Sequence, residues 1–119
     1  MGNGVLAENI GRQDILLLRG ATNRIGARWQ RQSKLNGPFE SVDLSDWQCT
    51  FQVLSADGQL WYERGCDAHG ADGLAAVYVP PDAFSAPAWT DRRSGSWKII
   101  ASRTGVTEIL GWGYWTLAD

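Results

Sequence analysis

The chain has 119 residues, 11 Lys and Arg against 13 Asp and Glu, and a formal net charge of −2. That length holds one domain with its own core and excludes two with separate cores, and the charge removes the basic footprint of a nucleic-acid binder. The longest apolar run near the N-terminus, residues 15–18, falls far short of the roughly 20 residues that cross a bilayer or the roughly 7 to 15 of a secretory leader's core, so a soluble, unprocessed chain is expected.

Fourteen Gly, four Pro, seven Trp, three Tyr and three Phe favour strands and turns over helices. Residues 1–12 are small and polar without sustained periodicity, and they are expected to form a flexible N-terminal arm that orders on a partner. Residues 13–119 are expected to form the single folded domain. Residues 13–19 (QDILLLR) are a short apolar run ending at Gly20. Over residues 22–32, Ile25, Ala27 and Trp29 alternate with Arg24, Gly26 and Arg28, the period of a half-buried strand. Residues 33–41 carry an Asn36-Gly37-Pro38 turn and no pattern, as in a surface loop.

The clearest strand lies within residues 44–56, where Trp47, Cys49, Phe51 and Val53 share one face and Gln48, Thr50, Gln52 and Leu54 the other. Asp57-Gly58 supplies the positive φ angles of a tight hairpin turn. Residues 59–64 return as the partner strand, with Cys49 and Cys66 towards the open end. The two cysteines lack the Cys-x-x-Cys spacing of a zinc or redox motif, and in a reducing compartment they are expected to be buried free thiols.

A turn-rich stretch over residues 65–73 leads into the strand formers of residues 74–79 (LAAVYV), stopped by Pro80-Pro81. Residues 82–89 are expected to hold one helical turn with Phe84 tucked onto the core. Trp97, Ile99 and Ala101 alternate with Ser96, Lys98, Ile100 and Ser102, and Arg103-Thr104-Gly105 turns the chain into the last strand, residues 106–117. Gly111 and Gly113 inside it point to a bulge or a close backbone approach. No window repeats apolar residues at helical spacing, and no internal repeat occurs. Six or seven short strands with turn signals between them make an all-β architecture, a small antiparallel sandwich or barrel.

Catalysis requires a nucleophile near a base, paired carboxylates or a metal cluster, and the chain offers little for any of them. His69, the one histidine, lacks the ligand spacing of a zinc site, and turn chemistry accounts for its surroundings. The acidic residues Glu40, Asp43 and Asp46 lack the spacing of a calcium loop. Asp43 and Ser45 are instead expected to bond nearby backbone N–H groups in a turn that launches the strand at Trp47. With no GxSxG, P-loop or GxGxxG motif, the expectation is a non-enzyme without catalytic residues, metal or cofactor.

Trp29, Trp47 and Trp97 fall on apolar strand faces and read as core. Trp61, Trp89, Trp112 and Trp115 are the candidates for a subunit interface, where aromatics concentrate, or for a saccharide site, where a pyranose stacks on an exposed ring. Arg92 and Arg93, joined by Arg103 if the fold brings it near, form a modest basic spot, for which a solvated loop is the plainer reading.

The order of these signals resembles a known family. A strand ending in Arg-Gly (LLLRG, residues 16–20), a second ending at Trp29, the turn VDLSDW (42–47), the alternating strand, Asp57-Gly58, a short return strand, Gly73 before LAAVYVP, and Gly95-Ser96-Trp97 in the penultimate strand are similar to the small β-sandwich modules of tail and baseplate proteins of tailed bacteriophages. The resemblance spans residues 13–117. It departs at Asp46, where those modules usually carry Gly, and in a longer loop over residues 80–94. It implies a small antiparallel immunoglobulin-like β-sandwich of about seven strands, a minor tail or baseplate structural protein of the virion made in the host cytoplasm. Its implied partners are copies of itself and neighbouring tail proteins, with no nucleic acid and no membrane. The alternatives are a carbohydrate-binding or receptor-binding module using exposed Trp, and a head decoration or head-to-tail joining protein.

Overall fold

Alternating apolar and polar residues commit most of the chain to strands. The computed structural model describes residues 7–8, 11–32 and 34–119. Its strands are β1 (Ala7–Glu8), β2 (Gly11–Arg12), β3 (Ile15–Leu18), β4 (Asn23–Arg28), β5 (Gln30–Gln32), β6 (Glu40–Ser41), β7 (Gln48–Leu54), β8 (Leu60–Gly65), β9 (Ala68–His69), β10 (Leu74–Val79), β11 (Ser94–Arg103) and β12 (Val106–Ala118). Among the described residues the single helical element is a 3₁₀ turn at Pro87–Thr90, and no helix is long and apolar enough to cross a membrane.

The seven strands of four residues or more, β3, β4, β7, β8, β10, β11 and β12, form two sheets. The larger runs β8-β7-β11-β12, with β2 and β3 both added in parallel to β12; the smaller runs β9-β10-β4, and β1, β5 and β6 make a short ribbon. This order is that of an immunoglobulin sandwich, with β4, β10 and β9 in the places of strands B, E and D, and β7, β8, β11 and β12 in those of C, C′, F and G. The all-β, immunoglobulin-like sandwich expected from the sequence is the fold observed. The expected arm, residues 1–12, lies largely outside the described residues; its described segments are β1, paired with β5, and β2, paired with β12.

The strand expected over residues 22–32 is divided at Trp29. There the backbone N–H donates to Gly73 O (2.8 Å) and the carbonyl accepts from Val42 N–H (3.0 Å), so the chain leaves β10 for the loops. The turn at residues 55–58 differs from the two-residue form expected. Gly58 N–H donates to Ser55 O (3.0 Å), and of Asp57 and Gly58 only the glycine has positive φ, +92°. A longer turn ending in a left-handed glycine is the commonest substitute for the two-residue form. At the other hairpin Arg103 pairs directly with Val106, and both turn residues are left-handed, Thr104 at 29° and Gly105 at 77°. Phe84 is buried, as expected, although the regular helical turn comes a few residues later.

Tryptophan fills the core. Trp29 meets Trp47 edge to face at 5.2 Å at one end, and Phe51 and Trp97 meet at 6.1 Å in the middle. At the other end Trp61, Trp89, Trp115, Phe84 and Tyr62 pack in T-shaped contacts of 4.7–6.1 Å. Such pairs add about 0.5–1.5 kcal/mol each beyond the area they bury. Arginines close the cluster at both ends: Arg31 and Arg103 lie over Trp29 and Trp47, and Arg92 lies over Trp61 and Trp89.

Candidate interaction surface

The four candidate tryptophans separate into a buried group and one exposed ring. Trp89 and Trp115 are 5% and 1% exposed, which corrects their reading as interface or saccharide residues. Trp89 is folded inward by the 3₁₀ turn that follows Pro87, and Arg19, a residue the sequence reading passed over, holds that loop down. Its guanidinium donates to Phe84 O (2.5 Å) and Trp89 O (3.3 Å) and pairs with Asp119 at 2.6 Å. Trp61 is half-buried against Trp89 and Trp115.

Arg92 covers that cluster at 4.6 Å from the Trp61 ring and 5.0 Å from the Trp89 ring. Arg93 stays in the exposed loop, 3.6 Å from Asp119. Arg103 ends β11, whereas Arg92 and Arg93 precede its start, so a ten-residue strand separates them and no three-arginine spot forms. His69 donates from Nδ1 to Leu44 O (3.0 Å), and Ser45 bonds Asp43 through both N–H (2.9 Å) and Oγ (2.6 Å). Asp43 accepts a backbone N–H in the turn as expected, whereas Ser45 donates instead of accepting, and His69 lies in β9 and tethers the distant Leu44 carbonyl. Among the described residues no group of three or more His, Cys, Asp or Glu could hold a metal ion.

Trp112 remains, 38% exposed on the outer face of the larger sheet, with Tyr114 beside it at 49%. Their rings meet edge to face at 6.1 Å. Arg12, from β2, lies 4.8 Å from the Tyr114 ring and 5.9 Å from the Trp112 ring. Asp14 fixes that guanidinium through two hydrogen bonds of 3.0 and 3.2 Å and accepts a third from Tyr114 N–H at 3.1 Å. The Arg12 side chain and then the Tyr114 N–H hold the Asp14 carboxyl below its ordinary pKa. Sequence reasoning missed Tyr114 and Arg12 because nothing local announces a parallel pairing between residues so far apart in the chain.

Across the sheet the register places Trp112 opposite Lys98, Lys98 opposite Gln52, and Gln52 opposite Glu63, which Gln52 Nε2 bonds at 2.7 Å. Leu16, Ile109 and Leu60 stand exposed on the same face, at 59%, 41% and 47%. Beside Tyr114 lies a shallow depression of about 320 Å³, lined by Ser94, Ser96 and Thr116 among others.

Two glycine–tryptophan pairs lie on the opposite, core-facing side of the same strands. Trp97 stands opposite Gly113, and Trp115 opposite Gly95. Each indole donates to a carbonyl beyond its glycine, Trp97 Nε1 to Gln13 O (2.8 Å) and Trp115 Nε1 to Leu54 O (2.9 Å). A Cβ at Gly113 would overlap the Gln13 carbonyl, and one at Gly95 would overlap the Leu54 carbonyl. The close backbone approach expected at Gly113 is therefore present, and it lets the Trp97 indole reach Gln13 in the link between β2 and β3. No family model matches the chain, and no curated protein matches it.

Proposed function

We propose that this chain is a non-enzymatic structural component of a tailed-phage virion, a tail or baseplate protein that assembles through its outer sheet face. The observation that carries the reading is the apolar content of that face. An antiparallel sheet with one face on its core normally turns polar residues to solvent, yet Leu16, Trp112, Tyr114, Ile109 and Leu60 are exposed there. Exposed apolar patches mark contact sites, and aromatic and Arg residues are enriched in them. The virion setting rests on the order of sequence motifs, from LLLRG through VDLSDW to the Gly95-Ser96-Trp97 strand, which resembles tail and baseplate modules.

Mass spectrometry of purified particles, with sheared tails and heads analysed separately, tests the setting. Enrichment with tails supports it; enrichment with heads moves the protein to the shell or neck, and absence from particles overturns it. The contact face is tested by sedimentation of the chain alone and with tail fractions. Association that Trp112→Ala with Tyr114→Ala abolishes is expected, and association unchanged by the pair refutes a role for this face.

One observation favours a second reading. The exposed Tyr114 ring, which Trp112 meets edge to face, borders a depression lined by Ser94, Ser96 and Thr116, the combination of stacking surface and polar groups that a saccharide uses. Titration with saccharides that changes tryptophan emission in the wild type but not in Trp112→Ala would favour it over assembly.

A further inference from the structure

The hairpin of β7 and β8 carries both cysteines at directly opposed positions. Thr50 faces Gly65, and the next pair towards the open end is Cys49 and Cys66, joined by a bond of 2.8 Å from Cys66 N–H to Cys49 O. Opposed residues of an antiparallel pair send their side chains to the same face. Cys49 is 3% exposed in the core, and Cys66 is half-buried against that core. Both are free thiols. We propose that Cys49 and Cys66 are a disulfide-forming pair, an oxidative modification site at which a low-molecular-weight disulfide staples the open end of this hairpin.

The backbone is in range for the bond. Opposed residues that share a backbone hydrogen bond lie about 5.5 Å apart at Cα, inside the roughly 4.4–6.8 Å that disulfides span. Their Cβ atoms, about 4.5–5.5 Å apart in such pairs, must close to about 3.5–4.5 Å. The closing movement falls to Cys66, which lies just past the end of β8, the outermost strand of its sheet.

With oxidised glutathione as the acceptor, the Cys66 thiolate, the more accessible, attacks one sulfur of the glutathione disulfide and expels one glutathione thiolate. The Cys49 thiolate then attacks Cys66 Sγ and expels the second. Two protein thiols become one disulfide, one glutathione disulfide becomes two thiols, and the two protons lost by the cysteines end on the two glutathiones. Burial pushes Cys66 up to about 12, with Cys49 and Asp67 adding to it, and pushes Cys49 up to about 11. Thiolate is therefore scarce near neutrality, which makes the reaction slow in the cell and faster in proportion to hydroxide. If the virion reading above holds, a chain assembled in a reducing cytoplasm would close the bond after release; the pairing itself does not depend on that reading.

The test is incubation of the purified full chain with oxidised glutathione under native conditions, followed by intact-mass and peptide mapping. The expected result is a loss of about 2 Da, the two thiol hydrogens, with residues 49 and 66 in one cross-linked peptide. The rate should rise about tenfold per pH unit between about pH 7 and 9, and the oxidised chain should melt about 5–10 °C higher, below the full loop-closure value because of strain at the Cβ atoms. Cys49→Ala should stop at a stable glutathione adduct on Cys66. A wild-type chain that ends as a double glutathione adduct, as a cysteine-linked dimer, or unreacted while its urea-unfolded form oxidises would overturn the proposal. The wild-type masses decide this even where Cys49→Ala fails to fold.

Discussion

Replacing Gly113 by Ala sets two effects of opposite sign against each other. Glycine inside a strand costs about 0.5–1 kcal/mol relative to alanine, so a change that fitted would stabilise the fold. At Gly113 the added Cβ overlaps the Gln13 carbonyl and sits 2.9 Å from Trp97 Nε1. Relief requires the Gln13 carbonyl to withdraw, which breaks its bond to Trp97 Nε1, 2.8 Å long. Stranding a buried donor costs about 1–3 kcal/mol. Shifting an indole that is 2% exposed adds an overpacking cost of about 1–3 kcal/mol. The net loss is about 1–5 kcal/mol, set against the roughly 5–15 kcal/mol that holds such a domain together. At about 2.1 cal/mol/K per residue over 119 residues, unfolding entropy is about 0.25 kcal/mol/K, so the melting temperature should fall by about 4–20 °C. Gly65→Ala is the control: this β8 residue's Cβ meets nothing within 4 Å, so the glycine penalty is relieved without a clash and a rise of about 2–4 °C is expected. Thermal unfolding followed by circular dichroism reads both. A Gly113→Ala chain melting within about 2 °C of the wild type would show that the Gly113–Trp97–Gln13 contact does not hold β12 to the chain before β3.

Thr104→Asn should raise the melting temperature by about 2–4 °C, since Thr104 occupies φ 29° in a two-residue turn that favours Asn-Gly and the change is worth about 0.5–1 kcal/mol; a decrease would contradict the turn geometry. Trp115→Ala, at a residue 1% exposed, should cost about 3–5 kcal/mol, whereas Trp112→Ala should cost about 1 kcal/mol or less, and denaturant titrations giving the reverse ranking would refute the assignment of faces. Acid should destabilise the fold. Asp14 is held below its ordinary pKa first by Arg12, Asp67 first by the Tyr78 N–H, and Asp119 first by Arg19. Folded pKa values below the unfolded value of about 3.9 mean that the unfolded chain binds more protons in acid. The stabilisation is therefore complete above that value and is lost as pH falls through the folded ones. Melting temperatures that rise below about pH 4 would show the opposite linkage.

Where the chain turns by local chemistry, its sequence was sufficient to place the turn, though not to give the longer form found at residues 55–58. Gly58, Gly105 and the Asp43–Ser45 turn lie where turn residues put them, and β10 occupies the residues from Leu74 to Val79 that stand before the double proline. The parallel addition of β3 to β12 was beyond such reading, because no turn residue reports a pairing between Ile15 and Trp115.

That Trp61, Trp112 and Trp115 could not be assigned to strand faces from the sequence has a sharper cause. Strand alternation assigns a side chain to a face only while the register is unbroken, and both strands in question carry a bulge. On β12 the pairing passes from Ile99–Gly111 to Ile100–Ile109. Leu110 is the extra residue, so the buried parity changes from Leu110 to Gly111, Gly113, Trp115 and Leu117. Counting inward from the Thr104-Gly105 turn would have put Trp112 in the core and Trp115 outside, the reverse of what is found. On β8 the pairing passes from Val53–Tyr62 to Leu54–Leu60, leaving Trp61 as the extra residue. That is why Trp61 and its neighbour Tyr62 are both half-buried on the same side of the strand, against one aromatic cluster. A bulge inserts one residue and re-aims everything beyond it. On β12 that single insertion fills the core with Trp115 and leaves Trp112 and Tyr114 on the outer face, where the proposed contact needs them.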